Sequence, residues 1–214
     1  MHSGTVSAIL TEHKAIESAS LERDVKVDFY LPKNVERPGE MGLLLINDGQ
    51  DMEKLGFENI LEKLYRHGAI QPLLCVGIHA GKDRKMEYGT AAFTDFKGRG
   101  AKAAAYTSFI FDELLPFIKK EYNMPHFKEK SFAGFSLGGL MALDIVWNYP
   151  QQFSKVGVFS GSLWWRNKSY EEDYNDDTDR IMHAQIRKGK HYPWLKFFFQ
   201  CGLFDENKDR NNNG

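Results

Sequence analysis

A serine lies between two glycines in the run Ser131-Phe132-Ala133-Gly134-Phe135-Ser136-Leu137-Gly138-Gly139-Leu140, which contains the pattern G-x-S-x-G. Five residues of pattern mean little alone. Here an apolar strand comes before the pattern and an amphipathic helix after it, as a nucleophile elbow requires. The serine of such an elbow takes a strained conformation in a very tight turn. Gly134 and Gly138 leave room for neighbouring backbone, and Gly139 lets the helix pack close to the sheet. The helix N-terminus then aims backbone N–H groups at the reacting centre, where negative charge develops. The chemistry this arrangement would do is acyl transfer through Ser136. The bland alternative, a glycine-rich turn carrying a solvent serine, does not explain the strand and helix on either side.

A nucleophilic serine needs partners. Leu137 supplies one oxyanion-hole N–H from the residue after the nucleophile, and a second must come from the loop after an earlier strand. Leu43-Leu44-Leu45-Ile46 runs into Asn47-Asp48-Gly49-Gln50-Asp51, so the backbone N–H of Gln50 is the candidate. An ordinary Asp-Gly turn is the competing reading. The acid should follow a strand after the nucleophile. Asp205 and Glu206 both do, in Cys201-Gly202-Leu203-Phe204-Asp205-Glu206, where a carboxylate would orient a histidine and stabilise its imidazolium. In this class the histidine comes last in chain order, yet none follows His191. His191 and His126 precede strands, while His2, His13, His67 and His183 read as surface residues. Only His79 follows a strand, and it reads as a loop residue rather than a replacement base. The expectation is a chain that lacks a last helix, a last strand and the histidine loop.

The elements that must position these residues can be read from periodicity. Residues 4–10 and 22–31 read as antiparallel strands, the second alternating through Val25, Val27, Phe29 and Leu31 up to Pro32. Short continuous apolar runs follow: Leu43–Ile46, Leu73–Ile78, Ser131–Gly134, Val156–Phe159 and Phe197–Cys201. Strands buried on both faces of a parallel sheet look like this. Helical spacing marks 57–67, 102–122 with a kink at Pro116, 137–148, and 177–188. The alternation predicts one α/β domain over residues 1–214. Its sheet is doubly wound and mostly parallel, with antiparallel N-terminal strands and ligands at the carboxyl ends of the strands.

Composition narrows the function classes. The 214 residues are 42% hydrophobic and 27% charged with a formal net charge of −1. That balance supports a full core and points to neither nucleic acid nor an anionic membrane. No apolar run approaches a membrane span. Met1-His2-Ser3-Gly4 lacks the basic-then-apolar order of a signal peptide, and the compartment stays open. Cys75 and Cys201 each sit in an apolar strand-like run and read as free buried thiols. No metal-ligand spacing and no cofactor motif is present, so a small-molecule substrate is the expected partner. Oligomeric state is not legible.

These motifs resemble the esterase family that includes enterochelin (ferric enterobactin) esterases, feruloyl esterase domains, S-formylglutathione hydrolases and mycolyltransferases. The resemblance covers nearly the whole chain. It rests on Asp48-Gly49-Gln50, Arg84-Lys85-Met86-Glu87-Tyr88, Ala133-Gly134-Phe135-Ser136-Leu137-Gly138-Gly139 and Phe159-Ser160-Gly161-Ser162-Leu163-Trp164-Trp165. The last run looks most like the enterochelin esterase branch. The resemblance implies an α/β-hydrolase fold and puts the acid at Asp205, or at Glu206 as in the mycolyltransferase branch. It also places Trp164 and Trp165 on a loop over the pocket. There they would stack on an aromatic acyl group, or one of them would plug the loop from below. Arg84 would hold a substrate anion, or pair with Glu87 to brace its loop.

The resulting expectation is a serine carboxylic-ester hydrolase acting on an aryl, sugar or siderophore ester, nearly inactive as this chain for want of its histidine. The alternatives are a catalytically inactive hydrolase-fold ligand-binding protein and an acyltransferase using the same site. Asp209-Arg210-Asn211-Asn212-Asn213-Gly214 matches half of a Ca²⁺ loop, but a polar tail is the plainer reading and no metal is expected.

Overall fold

The computed structural model describes residues 8–33, 35 and 38–203. Two long strands, β1 (Ile9–Ser18) and β2 (Arg23–Pro32), pair antiparallel along their whole length, from Ile9↔Pro32 to Ser18↔Arg23. The sequence predicts the first strand at 4–10, whereas in the structure it runs from Ile9 to Ser18. As the sheet's outer strand it buries only Ile9, Ile16 and Ser18, so its sequence carries no clean alternation to read. Residues 4–7 of that expectation lie outside the described residues. Val25, Val27 and Phe29 of β2 face the core as their spacing requires.

Five strands extend this pair. They are β3 (Gly42–Asn47), β4 (Leu73–Ile78), β5 (Lys130–Phe135), β6 (Lys155–Phe159) and β7 (Lys196–Gln200). The order is β1-β2-β4-β3-β5-β6-β7, with β2/β4 antiparallel and every later pairing parallel. From β3 the chain moves to one side for β4 and to the other for β5. The loops after β3 and β5 therefore lie side by side at the switch point where such sheets bind ligands.

Helices cover both faces. On one face α1 (Phe57–Arg66) packs its Leu61 with Ile46, Met52 and Cys75. On the other face Leu43, Leu45, Val76 and Phe132 meet the rings and aliphatic chains of the remaining helices. These include α3 (Ala103–Ser108), α4 (Leu115–Glu121) and α5 (Leu137–Asn148) after the single turn α2 (Arg84–Glu87). The interruption expected at Pro116 takes another form. A π-helical stretch, Phe109–Leu114, links α3 to α4 and places Pro116 in the first turn of α4. A proline cannot donate to the preceding turn, and the widened stretch before it absorbs that loss. The helix expected at 177–188 is split into α6 (Asp176–Asp179) and α7 (Ile181–Lys188) by Arg180, whose extended backbone bridges Arg166.

The last run departs from the expectation of a strand buried on both faces. β7 is exposed throughout, with Phe198 56% and Phe199 52% exposed, because among the described residues nothing pairs with its outer edge. Both cysteines are free, but Cys201, just after β7, is exposed for the same reason. Cys75 is buried, and burial pushes its thiol up to about 12.

Candidate active site

Ser136 sits between β5 and α5 at φ 53° and ψ −121°, a conformation that costs a non-glycine residue on the order of 1–3 kcal/mol. Hydrogen bonds hold it there. Its N–H donates to the Phe159 carbonyl at 3.0 Å. Its carbonyl accepts from Gly139, Leu140 and Ser162 at 3.1 Å each. The flanking glycines are steric requirements. A Cβ on Gly134 would lie 2.4 Å from the Gly138 carbonyl, and one on Gly138 would lie 2.7 Å from Asp48 Oδ2. From Leu137 to Val146 every residue of α5 is buried, so the helix cannot shift to relieve the turn. Ser136 itself is exposed.

The neighbouring loop is equally constrained. Asp48 is left-handed at φ 62° and ψ 47° and leads into a 3-10 turn, Gly49–Asp51. A Cβ on Gly49 would lie 2.4 Å from the backbone of Gly77, so only glycine lets the turn fold over β4. Among the described residues neither the Gln50 N–H nor the Leu137 N–H finds an acceptor in the chain. Both candidate oxyanion donors thus sit unpaired on adjacent loops, the arrangement a developing oxyanion needs. The Gln50 side chain braces the turn, donating to Asp48 Oδ1 at 3.2 Å and accepting from Ala80 N–H at 3.0 Å.

A buried polar network joins the two loops. Asn47 donates to the Gly138 carbonyl at 2.8 Å and accepts from Tyr106 at 2.6 Å, while Asp48 N–H donates to the Tyr88 hydroxyl at 3.3 Å. Burial, reinforced by Asp48 for Tyr88 and by Tyr88 for Tyr106, holds both phenols neutral, well above their ordinary range. Arg84 binds the buried Asp48 carboxylate through Nε at 2.6 Å and Nη2 at 2.7 Å. The hydrogen bond to Asp48 raises the Arg84 pKa further. The expected brace between Arg84 and Glu87 is therefore not made. Glu87 is 1% exposed and binds Arg23 instead, at 2.8 and 2.7 Å. Residues three apart on the single turn α2 reach different partners because Asp48 and Arg23 lie on different strands' ends.

The two tryptophans divide the roles foreseen for them. Trp165 is fully buried against Gly89 and Gly100, where a Cβ would lie 2.8 and 3.0 Å from its ring, so it is the plug. Trp164 is half-buried, with the Arg99 guanidinium 5.3 Å above it. The side-chain partner of Ser136 Oγ is Ser162 Oγ, at 3.1 Å. Among the described residues no histidine bonds Ser136. His79 instead holds Asp28 at 2.6 Å, as does His13 at 2.6 Å, on the far side of β4. Asp205, Glu206 and the 209–214 tail lie outside the described residues. A groove of about 400 Å³ lined by Lys130, Ser154 and Trp194 opens at the starting ends of β5 and β6. It is thus at the wrong edge to serve Ser136.

Sequence reasoning passed over Asn47, the role of Asp48 as partner to Arg84, and Ser162. Ser162 did leave a signal, a Ser-Gly-Ser run directly after the strand adjoining β5.

A doubly wound sheet with antiparallel first strands, and a strained strand-to-helix turn at its switch point, define an α/β-hydrolase fold. The family model described as "Putative esterase" matches residues 18–214, and the chain belongs to that esterase family. It is 29% identical over 167 residues to the uncharacterized protein YbbA of Bacillus subtilis, covering 74% of this chain and 62% of that one. It is 26% identical over 191 residues to the iron(III) enterobactin esterase of Dickeya dadantii, covering 86% of this chain and 41% of the relative. Among solved structures, the enterobactin esterase FES from Shigella flexneri in the presence of enterobactin superposes with a TM-score of 0.71. That match is at 20% identity and covers 90% of this chain and 46% of that one. The chain thus spans less than two thirds of the length of these relatives.

Proposed function

We propose that the chain is a serine carboxylic-ester hydrolase that forms an acyl-enzyme on Ser136, with an aryl, sugar or siderophore ester as substrate. The observation that carries this reading is Ser136 itself: an exposed hydroxyl on a backbone held at φ 53° between two glycines that admit no side chain. Family membership and the enterobactin esterases among the relatives support the substrate class.

In this mechanism Ser136 Oγ attacks the ester carbonyl and its proton passes to a general base. The amides of Gln50 and Leu137 hold the oxyanion, the alcohol departs, and water cleaves the acyl-enzyme. Asp205, or Glu206 beside it, orients the base, a role the family resemblance gives to a histidine. Trp164 offers a ring face to an aromatic acyl group. Arg84 serves this site through Asp48, shaping the loop that carries Gln50, and Glu87 steadies the same region through Arg23. Among the described residues no histidine bonds Ser136, and a serine nucleophile without its base turns over on the order of 10⁶-fold more slowly.

The test is covalent labelling. A fluorophosphonate probe should add once, slowly, at Ser136, and Ser136→Ala should remove the adduct. Aryl acetates should be hydrolysed only weakly. Fast, multiple-turnover hydrolysis abolished by Ser136→Ala would show that a general base reaches Ser136. The absence of any adduct favours a second reading, a ligand-binding hydrolase fold, which the lack of a histidine bonded to Ser136 among the described residues already recommends.

A further inference from the structure

Ser162 grips the nucleophile at two points. Its N–H donates to the Ser136 carbonyl, and its hydroxyl lies 3.1 Å from Ser136 Oγ. Ser162 is 2% exposed, whereas Ser136 is open to solvent. Its own position is fixed from both sides. Trp165, the buried plug, donates its N–H to the Ser162 carbonyl at 3.2 Å. On the other side the chain turns through Ser160 at φ 46°, whose N–H is bound to the Gln200 carbonyl of β7 at 2.7 Å. A buried hydroxyl needs a partner, and among the described residues the side-chain partner of Ser162 is the nucleophile.

Among the described residues no other side-chain hydrogen bond restrains Ser136. An exposed serine chooses among three staggered rotamers, and the contact with Ser162 favours the one observed. A hydrogen bond from a fixed donor to an oxygen that is losing its proton is charge-assisted and strengthens as the charge develops. A donor on the β6 side also leaves the Ser136 proton free to point elsewhere, towards whatever removes it.

We propose that Ser162 is a positioning residue for the nucleophile: its hydroxyl donates to Ser136 Oγ, selects the reactive rotamer and stabilises the oxygen as its proton leaves. This rests on the esterase reading. In the step concerned, the Ser136 proton goes to the base, or to hydroxide where no base is present. The new bond forms from Oγ to the acyl carbon, or to phosphorus in a fluorophosphonate, and the alcohol or fluoride departs. Ser162 keeps its own proton throughout.

The experiment is fluorophosphonate labelling of the full chain, followed by intact mass from about pH 6 to about pH 10, a range in which hydroxide can replace a missing base. The unsubstituted chain is compared with Ser162→Ala and Ser162→Thr, and melting temperatures are measured alongside. Ser162→Ala is expected to label about tenfold more slowly at neutral pH, with the rise in rate displaced to higher pH and the melting temperature within about 3 °C of the unsubstituted chain. Ser162→Thr, which keeps the hydroxyl, is expected to recover most of the rate. Labelling of Ser162→Ala at the unsubstituted rate and pH dependence overturns the proposal while leaving the esterase reading intact. So does a slowed rate that Ser162→Thr fails to recover, since that is the mark of a merely structural change. No labelling of the unsubstituted chain at any pH overturns the esterase reading, and the role of Ser162 with it.

Discussion

Asn47 donates its side-chain amide to the carbonyl of Gly138 at 2.8 Å and so ties the loop after β3 to the first turn of α5. Its Oδ1 accepts from the buried Tyr106 hydroxyl. Asn47→Ala orphans both partners and is expected to cost about 3 kcal/mol, from one to three per unsatisfied buried group. Asn47→Asp is nearly isosteric but puts a negative charge against the Gly138 carbonyl and beside Asp48. It should be at least as destabilising at neutral pH. Burial raises the folded pKa of such a carboxyl, so its deficit should shrink as pH falls and the protonated acid donates to Gly138 again. Urea titrations at two pH values check both outcomes, and a deficit independent of pH would contradict the assigned geometry.

The pairing of Arg84 with Asp48 makes a second prediction. The Asp48 carboxylate is 3% exposed and Arg84 supplies two of its hydrogen bonds. Removing one member of a buried pair leaves an uncompensated charge, with a typical cost of about 3–5 kcal/mol. Arg84→Gln should therefore lose about that much in denaturant unfolding. The double substitution Arg84→Gln with Asp48→Asn should recover most of it. If the two losses simply add, the pair is not coupled in the way the distances imply.

The doubly wound sheet, the antiparallel entry and the elbow at Ser136 were legible because each writes a local signature: alternation in β2, apolar runs in β3 to β6, and glycines at fixed offsets from a serine. The expectation failed where an element's surroundings, not its own residues, decide burial. β7 reads Lys-Phe-Phe-Phe-Gln and looks like a core strand, yet it lies exposed with no partner on its outer edge among the described residues. Arg84 and Glu87 sit three apart, a spacing that invites a pair, but stronger partners from distant strands claim each of them. Ser162 stands out in the sequence only as part of a motif, because contact with Ser136 depends on β5 and β6 being neighbours, which no periodicity reports.

Strain at Ser136 separates folding from chemistry. A positive φ penalises serine and alanine alike, whereas glycine bears no such cost. Ser136→Gly should accordingly be more stable than Ser136→Ala by about 1 kcal/mol, although both lack the nucleophile and neither should take up a fluorophosphonate. Equal stability of the two variants in urea would mean that the turn is relaxed in solution.

Asp144 gives the fold a pH dependence of its own. It is the one charged side chain in the buried run of α5, and burial raises its pKa from the ordinary carboxylate value of 3.8 to about 6. It accepts from Ala91 N–H at 2.9 Å, Asn148 at 3.1 Å and Gln185 at 3.3 Å. Because the folded state holds this proton more tightly than the unfolded chain, its contribution is greatest below the unfolded pKa. That contribution is lost as pH rises through about 6. Raising the pKa from 3.8 to about 6 corresponds to about 3 kcal/mol. Asp144→Asn removes the titration, and its amide can donate to Gln185 Oε1, a buried oxygen with no partner among the described residues. Asp144→Asn should thus match or exceed the parent's stability near pH 8, fall below it near pH 4, and flatten the difference between the two conditions. Thermal melts across that range measure the effect, and parallel pH curves for the two proteins would remove Asp144 from the account.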